Sequence, residues 1–471
     1  MTERIDALER DDLVSFIGAA LSCTGQAEFY GDRKGQAVAI GFFHEYMLGN
    51  YRRMYTHCLA AGTNDYNRAR IIVNLLIHPA DATPAMRREE GRLIAATLRE
   101  LPPPRVYRIF EELVERRVNN RRTRKIVADY LAERAEPELH TLKYRRRLAK
   151  IAAHFHLRLP GEQAAVLFGL ERARFETPLF EAFRRAHYDQ RAIYELPYTV
   201  AEGLAARHGI ARELFLRSIA PRLTKRESLR LRSHAAELGV DEIAEGELSR
   251  HDPTRLAIYF LSLDIAERTR RFEAFDAAMT AAARRVAHRC KVRLGHVALV
   301  ADNSYSASGA PGKRQRPLAL ALAVHYLLRE LADRSSTHWV TPLASLIELR
   351  ASGHTDLATP ILAGLAESPD LLIVLSDGYD NDPTGGAGEV VRVFRERLDP
   401  DHRVGLVHLS PVYDADAYTL RGLHPVIPTL GIRDAENVPM LLTFVRFADG
   451  SADLAELQAH LERRAKQVIE R

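Results

Sequence analysis

Three short segments carry the side chains best suited to chemistry. Asp302-Asn303-Ser304-Tyr305-Ser306 has a D-x-S-x-S spacing that sets a carboxylate and two hydroxyls on one loop. Gly353-His354-Thr355-Asp356-Leu357 offers a third hydroxyl, Thr355, and Ser376-Asp377-Gly378 a second carboxylate, Asp377. Oxygen donors without sulfur suit a hard cation, so Asp302, Ser304, Ser306, Thr355 and Asp377 are the candidate ligands for Mg²⁺, with Mn²⁺ or Ca²⁺ as alternatives.

Other chemistries find less support. A serine hydrolase would need Ser304 or Ser306 beside a His–acid pair. The chain has 19 histidines, but no G-x-S-x-G elbow. A thiol nucleophile at Cys58, beside His57, has nothing evident to activate it. Gly385-Gly386-Ala387-Gly388 lacks both the G-x-G-x-x-G spacing and a P-loop lysine. The expectation is a binding protein, not an enzyme. The acids of segment 376–386 read as a solvated loop, with recruitment of a second ion or a basic partner as the alternative.

The candidate ligands follow apolar runs, as they should at the carboxyl ends of buried parallel strands. Val297–Ala301 precedes Asp302, and Leu371–Leu375 precedes Asp377. Further strands are expected at Val404–Leu409 and within Met440–Phe447, with helices over Pro317–Leu331, Pro360–Ala366, Glu389–Leu398 and Leu454–Val468. Thr359 is the expected cap of the second helix. Alternating strands and helices predict a doubly wound, Rossmann-like parallel sheet. Residues 1–290 instead read as helix after helix, punctuated by turns such as Leu101-Pro102-Pro103-Pro104. Leu13, Phe16 and Ile17 share one helical face, as do Ile94, Leu98 and Leu101, and Phe110, Leu113 and Val114. The predicted architecture is an all-α domain over 1–290, a HEAT-like irregular solenoid or a bundle, followed by an α/β domain over 291–471.

The five candidate ligands resemble the metal-ion-dependent adhesion site (MIDAS) of von Willebrand factor A domains. The resemblance implies that Ser304 and Ser306 ligate directly, that Thr355 is a switchable ligand, and that Asp302 and Asp377 act partly through water. It also implies an open position for a carboxylate of a partner. Tyr305 departs from the glycine common in that family, and the insert Ala307–Lys313 is longer than a minimal loop. A helical solenoid followed by such a domain also resembles the Ro ribonucleoprotein (TROVE) family, in which a helical ring closed by the domain binds small non-coding RNA. Bacterial chains of this architecture look like partners of MoxR-type AAA+ ATPases. The resemblances imply two functions: a metal-dependent protein-binding scaffold, or a Ro-like RNA-binding protein.

Charge separates the two parts. Residues 1–300 hold 50 Lys and Arg against 39 Asp and Glu, whereas 301–471 hold 17 against 23. The excess concentrates in Arg121, Arg122, Arg124 and Lys125, and in Lys143, Tyr144, Arg145, Arg146, Arg147 and Lys150. These are the candidate RNA contacts, since arginine grips phosphate bidentately and an interleaved ring can stack on a base. The alternative is a solvated helix face balanced by acids such as Glu111, Glu112 and Glu115. Three scattered cysteines form no disulfide framework or CxxC metal site. With no apolar run of about 18 residues, the expected setting is the cytoplasm, away from membranes.

Overall fold

The computed structural model describes residues 2–24, 33–79, 81–169, 174–224, 227, 231, 248–290, 293–309, 315–416, 419–449 and 452–470. The chain forms two compact units, one of residues 1–71 with 248–471, the other of residues 72–247.

Within the first unit, five strands form an all-parallel sheet: β1 (Leu294–Ala301), β2 (Ala332–Trp339), β3 (Leu371–Leu375), β4 (Gly405–Ser410) and, after a two-residue hairpin pair β5 (Tyr413–Asp414) and β6 (Thr419–Leu420), β7 (Thr429–Gly431). Their order is β2-β1-β3-β4-β7. The chain leaves β1 toward β2 on one side and later returns to β3 on the other. The strand order therefore switches between β1 and β3, the place where an open sheet leaves a crevice for ligands.

Three sequence expectations are corrected here. Met440–Phe447 is not a strand but part of a helix, Val438–Ala448. Pro439 sits in its first turn, and the buried Leu441, Phe444 and Phe447 follow helical spacing. A short apolar run reads equally as strand or buried helix. Both edge strands, β2 and the three-residue β7, lie outside the expected set; the β2 sequence ADRSSTHW is polar because only part of it is covered. Thr359 does not cap its helix: it lies inside Ala358–Ala366, and the Asp356 carboxylate accepts its backbone N–H at 3.0 Å.

Residues 1–290 are helical among the described residues, but the boundary expected at 290/291 is not where the compact units divide. Helix α1 (Thr2–Ser22) lies on the edge strand β7 so closely that a Cβ on Gly431 would fall 2.0 Å from the Gly18 carbonyl oxygen. α1 thus covers a sheet edge that would otherwise be free to pair with another chain. After α2 (Arg33–Asn50) and α3 (Arg52–His57), the C-terminal helix Leu454–Glu470 returns to this group. Arg464 Nε donates to the Ala60 carbonyl at 2.8 Å, and Arg53 pairs with Glu462 at 3.0 Å. Helices Pro253–Ser262 and Ile265–Arg289 complete the unit; buried Thr254 donates its backbone N–H to Glu436 at 2.9 Å.

In the second unit, α4 (Asp65–Ile77), which begins in the first, is followed by α5 (Pro84–Glu100), α6 (Pro103–Glu115) and α7 (Arg121–Ala132). The Thr83 hydroxyl caps α5 by accepting from Met86 N, and Asn120 caps α7 by accepting from Thr123 N at 2.9 Å. The expected faces are inside: Ile94, Leu98, Leu101, Phe110 and Leu113 are buried, and Val114 is half-buried. Further helices follow at Pro137–Lys143, Arg145–Phe155, Gly161–Phe168, Pro178–Arg185, Gln190–Ile193, Tyr198–Arg207 and Arg212–Ile219. Among the described residues, no helix is long and apolar enough to cross a membrane.

Candidate metal centre

All five candidate ligands come from loops at the carboxyl ends of β1, β2 and β3. Asp302 directly follows β1, and its N–H extends the ladder by donating to the Leu375 carbonyl at 3.0 Å. Asp377 follows β3 by two residues. The loop after β2 brings in Thr355. Its hydroxyl donates to Ser304 Oγ at 2.9 Å, and Ser304 Oγ lies 3.1 Å from Ser306 Oγ. Three hydroxyls from sequence positions 51 residues apart therefore meet.

The carboxylates lie beside these hydroxyls. Asp302 Oδ1 accepts from Ser304 N at 2.8 Å. Asp302, Ser306 and Asp377 line a cavity of about 10 Å³ with Ala307, Pro317, Leu375, Ser376 and Pro411, room for roughly one water-sized particle. Asp377 Oδ1 accepts from Tyr379 N at 3.0 Å, whereas its buried Oδ2 has no hydrogen-bond partner among the described residues. A buried carboxylate oxygen without a donor is costly. Burial raises the Asp302 carboxyl from its ordinary 3.8 to about 6, and the nearby Asp377 charge adds to the rise. Burial raises Asp377 too, while donors from Tyr379 and Ser306 and the Arg421 charge oppose the shift.

A hard divalent cation fits this donor set. It would supply the positive charge that two buried acids lack. Among the described residues no group of three or more His, Cys, Asp or Glu is placed to hold a metal. The donors here are three hydroxyls and two acids.

Several positioning residues were invisible in the sequence. Asn303, a variable position of D-x-S-x-S, is fully buried and clamps the β2 loop. Its amide donates to the Thr341 carbonyl at 2.9 Å, and its Oδ1 accepts from Thr341 N at 2.7 Å. Its carbonyl accepts from Ser352 N, one residue before the positive-φ Gly353. A Cβ at Gly353 would stand 2.9 Å from Thr341 Oγ1, so both backbone and space require glycine. Arg268, from helix Ile265–Arg289, donates to the Leu349 carbonyl at 2.8 Å and the Leu261 carbonyl at 2.6 Å, holding the start of the same loop. The Thr355 carbonyl accepts from Asn381 N and Asp382 N, tying this loop to the one after β3. Asp380 is a structural staple, accepting from Leu357 N and Ala387 N.

At the mouth, Tyr305 is 75% exposed, and Arg421 stacks on the Tyr379 ring with its guanidinium carbon 3.8 Å from the centroid. Of the insert Ala307–Lys313, residues 310–313 lie outside the described residues. Cys58 is fully buried, and burial pushes its thiol up to about 12, which removes the thiolate a nucleophile needs.

The candidate RNA contacts fall in the second unit, and the chain itself engages many of them. Arg122 pairs with buried Glu90 at 3.1 Å, Lys125 with Asp129 at 3.0 Å and Arg147 with Glu111 at 3.0 Å. Arg145 lies over Phe183, Lys143 over Tyr144, and the Tyr144 ring packs 4.5 Å from that of Tyr107. Arg121, Arg124, Arg146 and Lys150 are exposed and make no side-chain pairing among the described residues.

Comparison with known proteins finds likeness among solved structures. No protein-family model matches the chain, and no curated protein matches it. Among solved structures, the chain is similar to the crystal structure of Deinococcus radiodurans RO (RSR) protein. Identity is 15% and the TM-score 0.48, over 94% of this chain and 100% of that one.

Proposed function

We propose that this chain is a metal-dependent binding protein. Ser304, Ser306 and Thr355, with Asp302 and Asp377, hold Mg²⁺ or a similar cation, and a carboxylate of a partner protein completes the coordination. The observation that carries the reading is the meeting of Thr355, Ser304 and Ser306 hydroxyls within 2.9–3.1 Å beside the unpartnered buried Asp377 oxygen. The bound cation would act as a charge bridge between two acidic surfaces. The chain's residues set its specificity: Thr355 and the serines supply neutral donors, Asp302 and Asp377 no more than balance a divalent charge, and an open coordination position can take one more carboxylate. Tyr305 and the Arg421–Tyr379 stack flank the approach and would select among acidic partners. A MoxR-type AAA+ ATPase is the partner class that the sequence resemblance suggests.

The test is capture of interacting proteins from native lysate with immobilised protein, in Mg²⁺ and in EDTA. Proteins retained in Mg²⁺ and released by EDTA, and not captured by Thr355→Ala, support the reading. Identical capture by wild type and Thr355→Ala in both buffers contradicts it.

A second reading, RNA binding, is favoured by the exposed and unpaired Arg121, Arg124, Arg146 and Lys150. It predicts nucleic acid retained on purification and an affinity that falls steeply with salt.

A further inference from the structure

A second site-like feature lies wholly within the second unit and is independent of the cation site. Helices α5 and α7 run side by side and parallel. Arg122 pairs with Glu90 near their amino ends, and Arg99 with Glu133 near their carboxyl ends, at 3.1 and 2.9 Å. Between them runs a groove of about 740 Å³. Its apolar lining comes from Gly91, Ala95, Leu98, Ile126 and Tyr130.

The charge along this groove is uneven. At the carboxyl end Arg99 is neutralised by Glu133, and farther toward the amino end Lys125 is neutralised by Asp129. At the amino end stand Arg87, Arg88, Arg92 and Arg121. All four are exposed, line the groove and lack side-chain partners among the described residues. Because the helices are parallel, both helix amino termini, with their partial positive charge, lie at this same end. Unpaired guanidiniums beside helix amino termini are phosphate-binding chemistry. An apolar trough of this volume is ligand-sized.

We propose that this groove binds a small phosphorylated ligand of the nucleoside polyphosphate class. The phosphates lie among Arg87, Arg88, Arg92 and Arg121, and the base and sugar lie over Gly91, Ala95 and Ile126. From residue 87 to residue 99 the helix advances about 18 Å, long enough for an extended nucleoside triphosphate. Arginine in place of lysine at all four positions favours bidentate contact with phosphate oxygens.

Gly91 supplies a clean test. A Cβ there meets nothing within 4 Å, and its φ needs no glycine. Gly91→Leu therefore fills the trough while improving helix propensity. The experiment titrates the full chain with a fluorescent ATP analogue, with unlabelled ATP and inorganic tripolyphosphate as competitors. Expected are saturable binding, competition by ATP better than by tripolyphosphate, and affinity losses of about 10-fold or more in both Gly91→Leu and Arg88→Glu/Arg92→Glu. Thr355→Ala retains wild-type affinity. Circular dichroism confirms folding of each variant. The proposal is overturned by no binding at about 1 mM nucleotide. Wild-type affinity in both groove variants, or displacement of the probe only by RNA or an acidic peptide, also overturns it.

Discussion

Replacing Asp302 with asparagine should have opposite effects on stability with and without metal. In metal-free protein the Asp302 carboxyl is raised from 3.8 to about 6 by burial and by Asp377. Folding therefore favours the neutral form. The cost of the ionised form is absent below pH 4, grows between pH 4 and 6, and is complete above. A displacement of that size corresponds to about 3 kcal/mol at neutral pH. Asparagine keeps an oxygen for the Ser304 N–H and carries no charge, so Asp302→Asn in EDTA at pH 8 should be stabilised by up to about 3 kcal/mol. In Mg²⁺ the order should reverse. Saturation at about a thousandfold over Kd stabilises wild type by about 4.1 kcal/mol, more than the buried charge costs, and the variant forfeits most of it. Trp339 is the single tryptophan and ends β2, so its fluorescence during urea unfolding reports on the unit containing the site. If Asp302→Asn is destabilised in EDTA as much as in Mg²⁺, the buried-charge argument is wrong.

Other predictions follow from the same geometry. Mg²⁺ affinity, measured by calorimetry, should fall about tenfold per pH unit below pH 6, because Asp302 must lose its proton to bind; a flat profile between pH 5 and 7 opposes this. Asn303→Ala removes two clamps to Thr341 and should cost about 2–4 kcal/mol by urea unfolding, with metal affinity falling too. Arg268→Met releases the Leu349 carbonyl and should weaken Mg²⁺ binding while leaving partner specificity intact, read by calorimetry and pull-down. Gly431→Ala places a methyl against the Gly18 carbonyl and should destabilise the packing of α1 on β7, seen as faster amide exchange throughout α1.

The sequence exposed the site better than the scaffold. The placement of Asp302 and Asp377 at strand ends was legible because buried parallel strands read as apolar runs. β2 was illegible for the reciprocal reason: a partly covered edge strand needs no apolar signature. The segment Met440–Phe447 reads as a strand because its apolar stretches are short; its helical period shows only in the buried Leu441, Phe444 and Phe447 opposite exposed Thr443 and Arg446. Asn303 and Arg268 act through hydrogen bonds to backbone carbonyls of distant loops, and no local spacing encodes such contacts. The docking of α1 on β7 rests on two glycines 413 positions apart, whose meaning exists only in the fold.

Anomalous diffraction from crystals grown with Mn²⁺ tests the central claim most directly. The proposed site should show a manganese peak within bonding distance of Ser304, Ser306 or Thr355 oxygens, lost in Asp302→Ala crystals. Manganese elsewhere in the crystal with none at these loops would contradict it.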